Sequence, residues 1–422
     1  MNGYLILHGD IVEAPSFGKL NCVEYGYLVA KDGRIVGVYK DLPEEYEGQP
    51  VTDLAGSIIM PSFCDMHLHA PQYPLLGLGL DMQLLEWLET YTYPTEARFA
   101  SNEYASRVYY AFAKDLINGG TTRVAAFSSI HKEATMILMD ALERARVIGL
   151  VGKVNMDRNC PDYIREDTAK SLEDTEQWII ESRRKYRFVK PAITPRFIPT
   201  CSPELLDGLG KLAAKYNIPV QTHLSENSDE INLTRALSKE YAGYWHEYAQ
   251  HGLFTEGALM AHCVYSDHME RSVMHERNVW AVHCPTANMD LSTGIMPVRR
   301  FVYEDINVAL GSDVAGGAAI FMPRVIISAI RASKRNWLAT ARNERCLNMA
   351  EAFYLATSAG AKRLGYGGGF TPGDPLHCIV ADDQRMCMAD EGRSLRERFE
   401  RLIYRMQPAD ITHVWSEGER VK

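Results

Sequence analysis

The chain contains no run of about 18 apolar residues, so no membrane-spanning helix is expected. It has no surplus of positive charge. Its 45 Lys and Arg stand against 54 Asp and Glu, a formal charge of −9. A dedicated nucleic-acid binder carries a basic face, so no nucleic-acid partner is expected either. Cysteine is sparse, nine in 422 residues, with no Cys-x-x-Cys pair. That excludes a disulfide scaffold and suits reduced thiols in a cytoplasmic protein. The opening MNGYLILHGDIVEAPSF has no basic segment followed by a long apolar core, so no secretory signal is expected. Neither internal repeats nor low-complexity tracts occur. What is present is ordinary for a globular chain: 46% hydrophobic and 23% charged residues. The apolar content is ample to offset the entropy of ordering.

Residues 4–8, 25–38 and 51–54 read as short strands, with Lys31-Asp32-Gly33-Arg34 as a hairpin turn between two of them. From residue 57 the pattern changes, and short apolar runs alternate with helical stretches. The runs are 57–69, 122–129, 150–157, 189–197, 220–226, 259–265, 280–285 and 308–313. Continuous apolar runs of this kind suit a parallel sheet buried on both faces. Helical periodicity is expected at 81–98, 132–147, 168–187, 203–216, 267–277 and 321–338. Eight such units predict an α/β protein built on a (β/α)8 TIM-type barrel; a doubly wound sheet is the competing reading. The tail after Gly365 is rich in Gly and Pro and carries strand-like runs at 376–381 and 411–415. We expect a barrel over 57–364. A small flanking β-sandwich is expected from segments 1–56 and 365–422.

Working residues of such barrels sit at the C-terminal strand ends. His67 and His69 lie two apart on one strand, so both rings face the same side. His223 and Asp313, at two other strand ends, would complete a three-nitrogen, one-oxygen set suited to zinc or ferrous iron. A single strand-end histidine is more often a satisfied core residue. Four such groups converging on one barrel mouth are costly without a ligand. Glu226 follows His223 by three residues, near the cluster without being bound to it, which suits a general acid or base. The plainer reading is a solvated loop carboxylate. His262 is placed to polarise a water or a developing oxyanion, or else is a core histidine. Trp87 and Tyr91 share a helical face; they either close the pocket or simply pack.

The segments PSFCDMHLH, THLSE, MAHC and LGSDV resemble the metal-site motifs of the amidohydrolase superfamily. The fourth strand ends in Arg196 and offers no lysine there, which implies one metal rather than two and the mononuclear deaminase branch. HAPQYP (69–74), residues 80–99, VGKVNMDRN, ITPRF, THLSEN, HCPTAN and GSDVAGG together are similar to the guanine deaminases. The resemblance implies hydrolysis of guanine to xanthine and ammonia, with one zinc or iron ion per subunit held by His67, His69, His223 and Asp313. It implies that a metal-bound hydroxide attacks C2 and that Glu226 protonates N3. Asp313 would shuttle the water proton to the leaving amine, and His262 would bind the attacking oxygen. Arg196 would place its guanidinium fork on O6 and N7; the plainer reading is a salt bridge at the barrel rim. Gln72 would read the amide edge, and Phe197 would pack on the ring. A cytoplasmic homodimer in purine breakdown is implied as well. The alternatives are a deaminase or dechlorinase of another heterocycle (cytosine, an adenosine derivative, a triazine) or a barrel kept only for binding.

Overall fold

The computed structural model describes residues 3–238, 240–384 and 392–422. The first four strands are β1 (Tyr4–Ser16), β2 (Lys19–Lys31), β3 (Arg34–Tyr39) and β4 (Val51–Pro61). The expected hairpin joins β2 to β3 through Asp32 and Gly33, at φ 50° and 78°. Paired positive values are the signature of a two-residue turn that matches strand twist.

The barrel follows with β5 (Phe63–His69), β6 (Thr121–Phe127), β7 (Ile148–Gly152), β8 (Val154–Asn155), β9 (Val189–Pro191) and β10 (Thr194–Pro195). It continues with β11 (Gln221–Leu224), β12 (Leu259–His262), β13 (Trp280–His283) and β14 (Val308–Leu310). All pairings among these strands are parallel. β8 and β10 carry the third and fourth strands on towards the mouth, so the strand count is eight. An Ile193–Val220 bridge joins the two halves. The other seam closes where Asp313 N donates to His67 O at 2.9 Å and His69 N donates to Val314 O at 3.0 Å. Gly311 permits that seam, because a Cβ there would lie 2.8 Å from His67 Cβ. Residues of β5, β6 and β7 are buried throughout, as two covered faces require.

The chain ends with β15 (Cys378–Asp382), β16 (Ile411–Ser416) and β17 (Glu419–Arg420). These strands join β1–β4 in one seven-stranded mixed sheet of order β17-β16-β15-β4-β1-β2-β3. Residues 57–61, expected in the first barrel strand, instead continue β4, pairing antiparallel with β15. Ser62 marks the change of sheet.

Helices Lys132–Arg144, Thr168–Lys185, Pro203–Tyr216, His268–Glu276 and Met322–Ala339 match the periodic segments. The expected helix 81–98 runs without interruption from Leu84 to Ala100, α-helical at Leu84–Trp87 and Tyr93–Ala97, with a wider turn at Leu88–Thr92 and a tighter one at Arg98–Ala100. Pro94 accounts for the wider turn, because its ring would strike the Thr90 carbonyl of a regular α-helix. Trp87 and Glu96 both lie on this helix and are buried. No helix among the described residues is long and apolar enough to cross a membrane. Eight cysteines are free thiols; Cys387 lies outside the described residues.

Candidate active site

The β5 pleat turns both His67 and His69 to the barrel mouth. His69 Nε2 lies 3.1 Å from His223 Nε2. Asp313 Oδ1 lies 3.3 Å from His67 Nε2 and 3.4 Å from His69 Nε2. With zinc–nitrogen bonds of about 2.0–2.1 Å, the edge of a tetrahedron is about 3.3 Å. These three separations match that edge, and the ligand nitrogens of His67, His69 and His223 all lie within 4.8 Å of one another. His67 Nε2 has no hydrogen-bond partner although it is buried, as expected of a nitrogen reserved for a ligand. His223 Nδ1 donates to the Arg196 carbonyl at 2.6 Å, which fixes the tautomer and leaves Nε2 with its lone pair. Burial first, then neighbouring imidazoles, hold His69 and His223 well below the usual histidine range. Both are neutral at pH 7 and fit to bind a cation.

Beside this cluster, His262 donates through Nδ1 to Asn288 Oδ1 at 2.8 Å. Its Nε2 faces Glu226 Oε2 at 3.5 Å and Asp313 Oδ2 at 3.8 Å. Burial is the main reason its pKa falls to about 4, so Nε2 is an acceptor. Glu226 is only 4% exposed, and its Oε1 has no partner. Burial above all, then the Glu230 and Asp313 carboxylates, raise its pKa well above the ordinary value. A carboxyl so placed keeps its proton to higher pH than an ordinary glutamate and can give it up. Glu230 fixes the loop, because its Oε2 accepts from the backbone of Glu226 at 3.0 Å and of Asn227 at 3.1 Å. The turns at these strand ends carry left-handed backbone at Ser225, His262, Cys263 and Asp313, with φ between 48° and 72°. Strain of that kind concentrates at functional sites.

Gln72, Trp87, Arg196 and Phe197 line the same cleft as His69, His223, Glu226, His262 and Asp313. Tyr91 is absent from the lining and packs instead, its ring against Gly79. Arg196 reaches the cleft but is not the free fork the resemblance implies. Its Nη1 donates to Glu96 Oε2 at 2.6 Å and its Nη2 to Glu96 Oε1 at 3.2 Å. The remaining guanidinium hydrogens are those of Nε and the outer positions. Gln72 Nε2 also donates to Glu96 Oε1, at 2.9 Å. Sequence reasoning missed Glu96, Asn288 and Glu230. Glu96 lies inside the quoted 80–99 segment, whose helical period does not say which carboxylate turns inward, and Asn288 lies inside the quoted HCPTAN. His283 is buried at the end of β13 with neither ring nitrogen bonded, and it does not line the cleft.

The fold agrees with the comparisons. The amidohydrolase family profile matches residues 58–421, and the chain belongs to that family. It is 33% identical over 383 residues to the guanine deaminase of Dictyostelium discoideum, covering 89% of this chain and 85% of that one. Against the Escherichia coli guanine deaminase, identity is 34% over 373 residues, covering 86% and 82%. These relatives place it on the guanine deaminase branch. The guanine deaminase from C. acetobutylicum, solved with guanine in its active site, superposes at a TM-score of 0.96 with 42% identity, covering 99% and 100%. A zinc-bound adenosine deaminase from Xanthomonas campestris shares the fold, at a TM-score of 0.83 and 22% identity over 99% of this chain and 92% of that one.

Proposed function

We propose that this chain hydrolyses guanine to xanthine and ammonia. The observation that carries the reading is one cleft lined both by the cation-ready donors with Glu226 and by Arg196 and Gln72. The likeness to guanine deaminases supports it. His67, His69, His223 and Asp313 would hold one cation, zinc in this reading, although the same donors accept iron. When bound, that ion supplies a water acidified enough to serve as nucleophile near neutral pH.

The chain's own side chains do the rest. Glu226 gives its proton to N3 as C2 becomes tetrahedral. Asp313 takes one proton of the attacking water and passes it to the leaving amine, and the other returns to Glu226 as the C2 carbonyl forms, so water and guanine become xanthine and ammonia. His262 Nε2 accepts from the attacking oxygen and orients it. Arg196 and Gln72 grip the O6 edge, while Phe197 and Trp87 pack the ring and exclude water. The same reading makes the protein a cytoplasmic homodimer acting on a small purine in purine breakdown; free thiols suit that compartment. Ammonia release from guanine, adenine, adenosine and cytosine tests it. Guanine is expected to react fastest, and a faster rate on any of the others overturns the assignment.

A further inference from the structure

Three stretches of chain meet at one buried carboxylate. Glu96, on the helical turn Tyr93–Ala97, is 1% exposed. Its two oxygens accept from both terminal nitrogens of Arg196 and from Gln72 Nε2. On its other side the Gln72 amide is held as well, since Oε1 accepts from Ala315 N at 3.3 Å.

This arrangement removes a freedom that glutamine normally has. An amide can turn by half a revolution and exchange its donor and acceptor ends. Here a flip would set Gln72 Oε1 against a carboxylate oxygen and Nε2 against an N–H. Both contacts are repulsive in a buried site, where unpaired polar groups are costly. Gln72 therefore shows the cleft one fixed order of donor and acceptor. Arg196, donor-only and kept charged by the same carboxylate, stands beside it.

We infer that Glu96 is a positioning residue that sets ring selectivity: by locking the Gln72 amide and the Arg196 guanidinium, it makes the wall read a keto edge and reject an amino edge. The inference rests on the guanine reading above. A free glutamine would serve either edge; a locked one serves one.

The probe is 2,6-diaminopurine, which carries the same reacting 2-amino group as guanine but an amino group in place of O6. In Glu96→Gln the acceptor-only partner is lost and Gln72 can turn. A hydrogen bond to a charged group contributes about 1.5–3 kcal/mol, which is roughly 10- to 150-fold. The kcat/KM ratio of guanine to 2,6-diaminopurine is expected to fall by at least about 10-fold. The guanine loss should fall mainly in KM, since binding rather than proton transfer is weakened. Glu96→Asp keeps the charge beside Arg196 but is too short to span both partners. It should fold with a melting temperature near wild type and show a smaller fall in the ratio. A merely structural role would lower both substrates alike. An unchanged ratio in both variants, with wild type active on guanine, overturns this inference alone. A wild-type protein inert toward guanine overturns the proposed function with it.

Discussion

Glu226→Gln is the sharpest single perturbation of the proposed chemistry. The substitution keeps the shape of the side chain and removes the transferable proton. It breaks no existing hydrogen bond. Glu226 Oε1 has no partner, and Oε2 stands 3.5 Å from His262 Nε2. The loop stays anchored because Glu230 binds the backbone of residues 226 and 227. General acid–base groups contribute about 10²- to 10⁴-fold, which at 1.36 kcal/mol per decade is about 3–5 kcal/mol of barrier. The amide can still donate to N3, so guanine KM should stay within about threefold while kcat falls by at least about 100-fold. Steady-state ammonia release reads both. A variant kcat within about tenfold of wild type would refute the role.

The same carboxyl predicts a pH effect on stability. Its folded pKa is raised above the ordinary value of 4.5, so between those two values the unfolded chain has released a proton that the folded chain still holds. Stability is then fully present below the unfolded value and is lost as pH rises towards the folded one. Urea denaturation of metal-free protein should show Glu226→Gln losing less stability than wild type as pH rises above the ordinary carboxyl range. Equal losses would contradict the raised pKa.

Two further predictions concern the scaffold. Asn288→Ala removes the acceptor that fixes His262 Nδ1; kcat should fall about 10- to 100-fold, the scale for such supporting contacts, with metal content unchanged, and wild-type kcat would show that His262 needs no such brace. Glu351→Ala strands the buried Arg299, which donates to it at 2.6 and 3.1 Å; the loss in chemical denaturation should be about 3–5 kcal/mol, and a loss under about 1 kcal/mol would contradict the pairing.

The parts of the site that follow a strand's own period were legible from sequence. His67 and His69 share a face because side chains alternate along a strand, and His223, His262 and Asp313 each lie in or just after an apolar run that suits a barrel strand. The (β/α)8 order was legible for the same reason. The parts set by long-range packing were not. Glu96 sits in a stretch that reads as one helix with Glu86 and Glu89, and nothing local says which carboxylate turns inward. The wider turn at Leu88–Thr92 shifts the residues after it around the helix axis, which a regular period does not show. A salt bridge is one reading of Arg196 from sequence, but its partner is not legible there. A guanidinium fits a purine edge and a carboxylate equally well, and its partner lies 100 residues away. The 57–61 segment is apolar enough for either sheet, and only its pairing with β15 assigns it to the flanking one.

The central claim is that His67, His69, His223 and Asp313 together hold one cation on which guanine turnover depends. Elemental analysis with parallel ammonia assays, on protein as isolated, stripped by chelation and reconstituted with zinc, tests it most directly. The account predicts about one equivalent of transition metal per chain, turnover lost on stripping and restored on reconstitution, and His69→Ala unable to retain the metal. Guanine turnover that persists in metal-free protein, or full metal occupancy in His69→Ala, would contradict it.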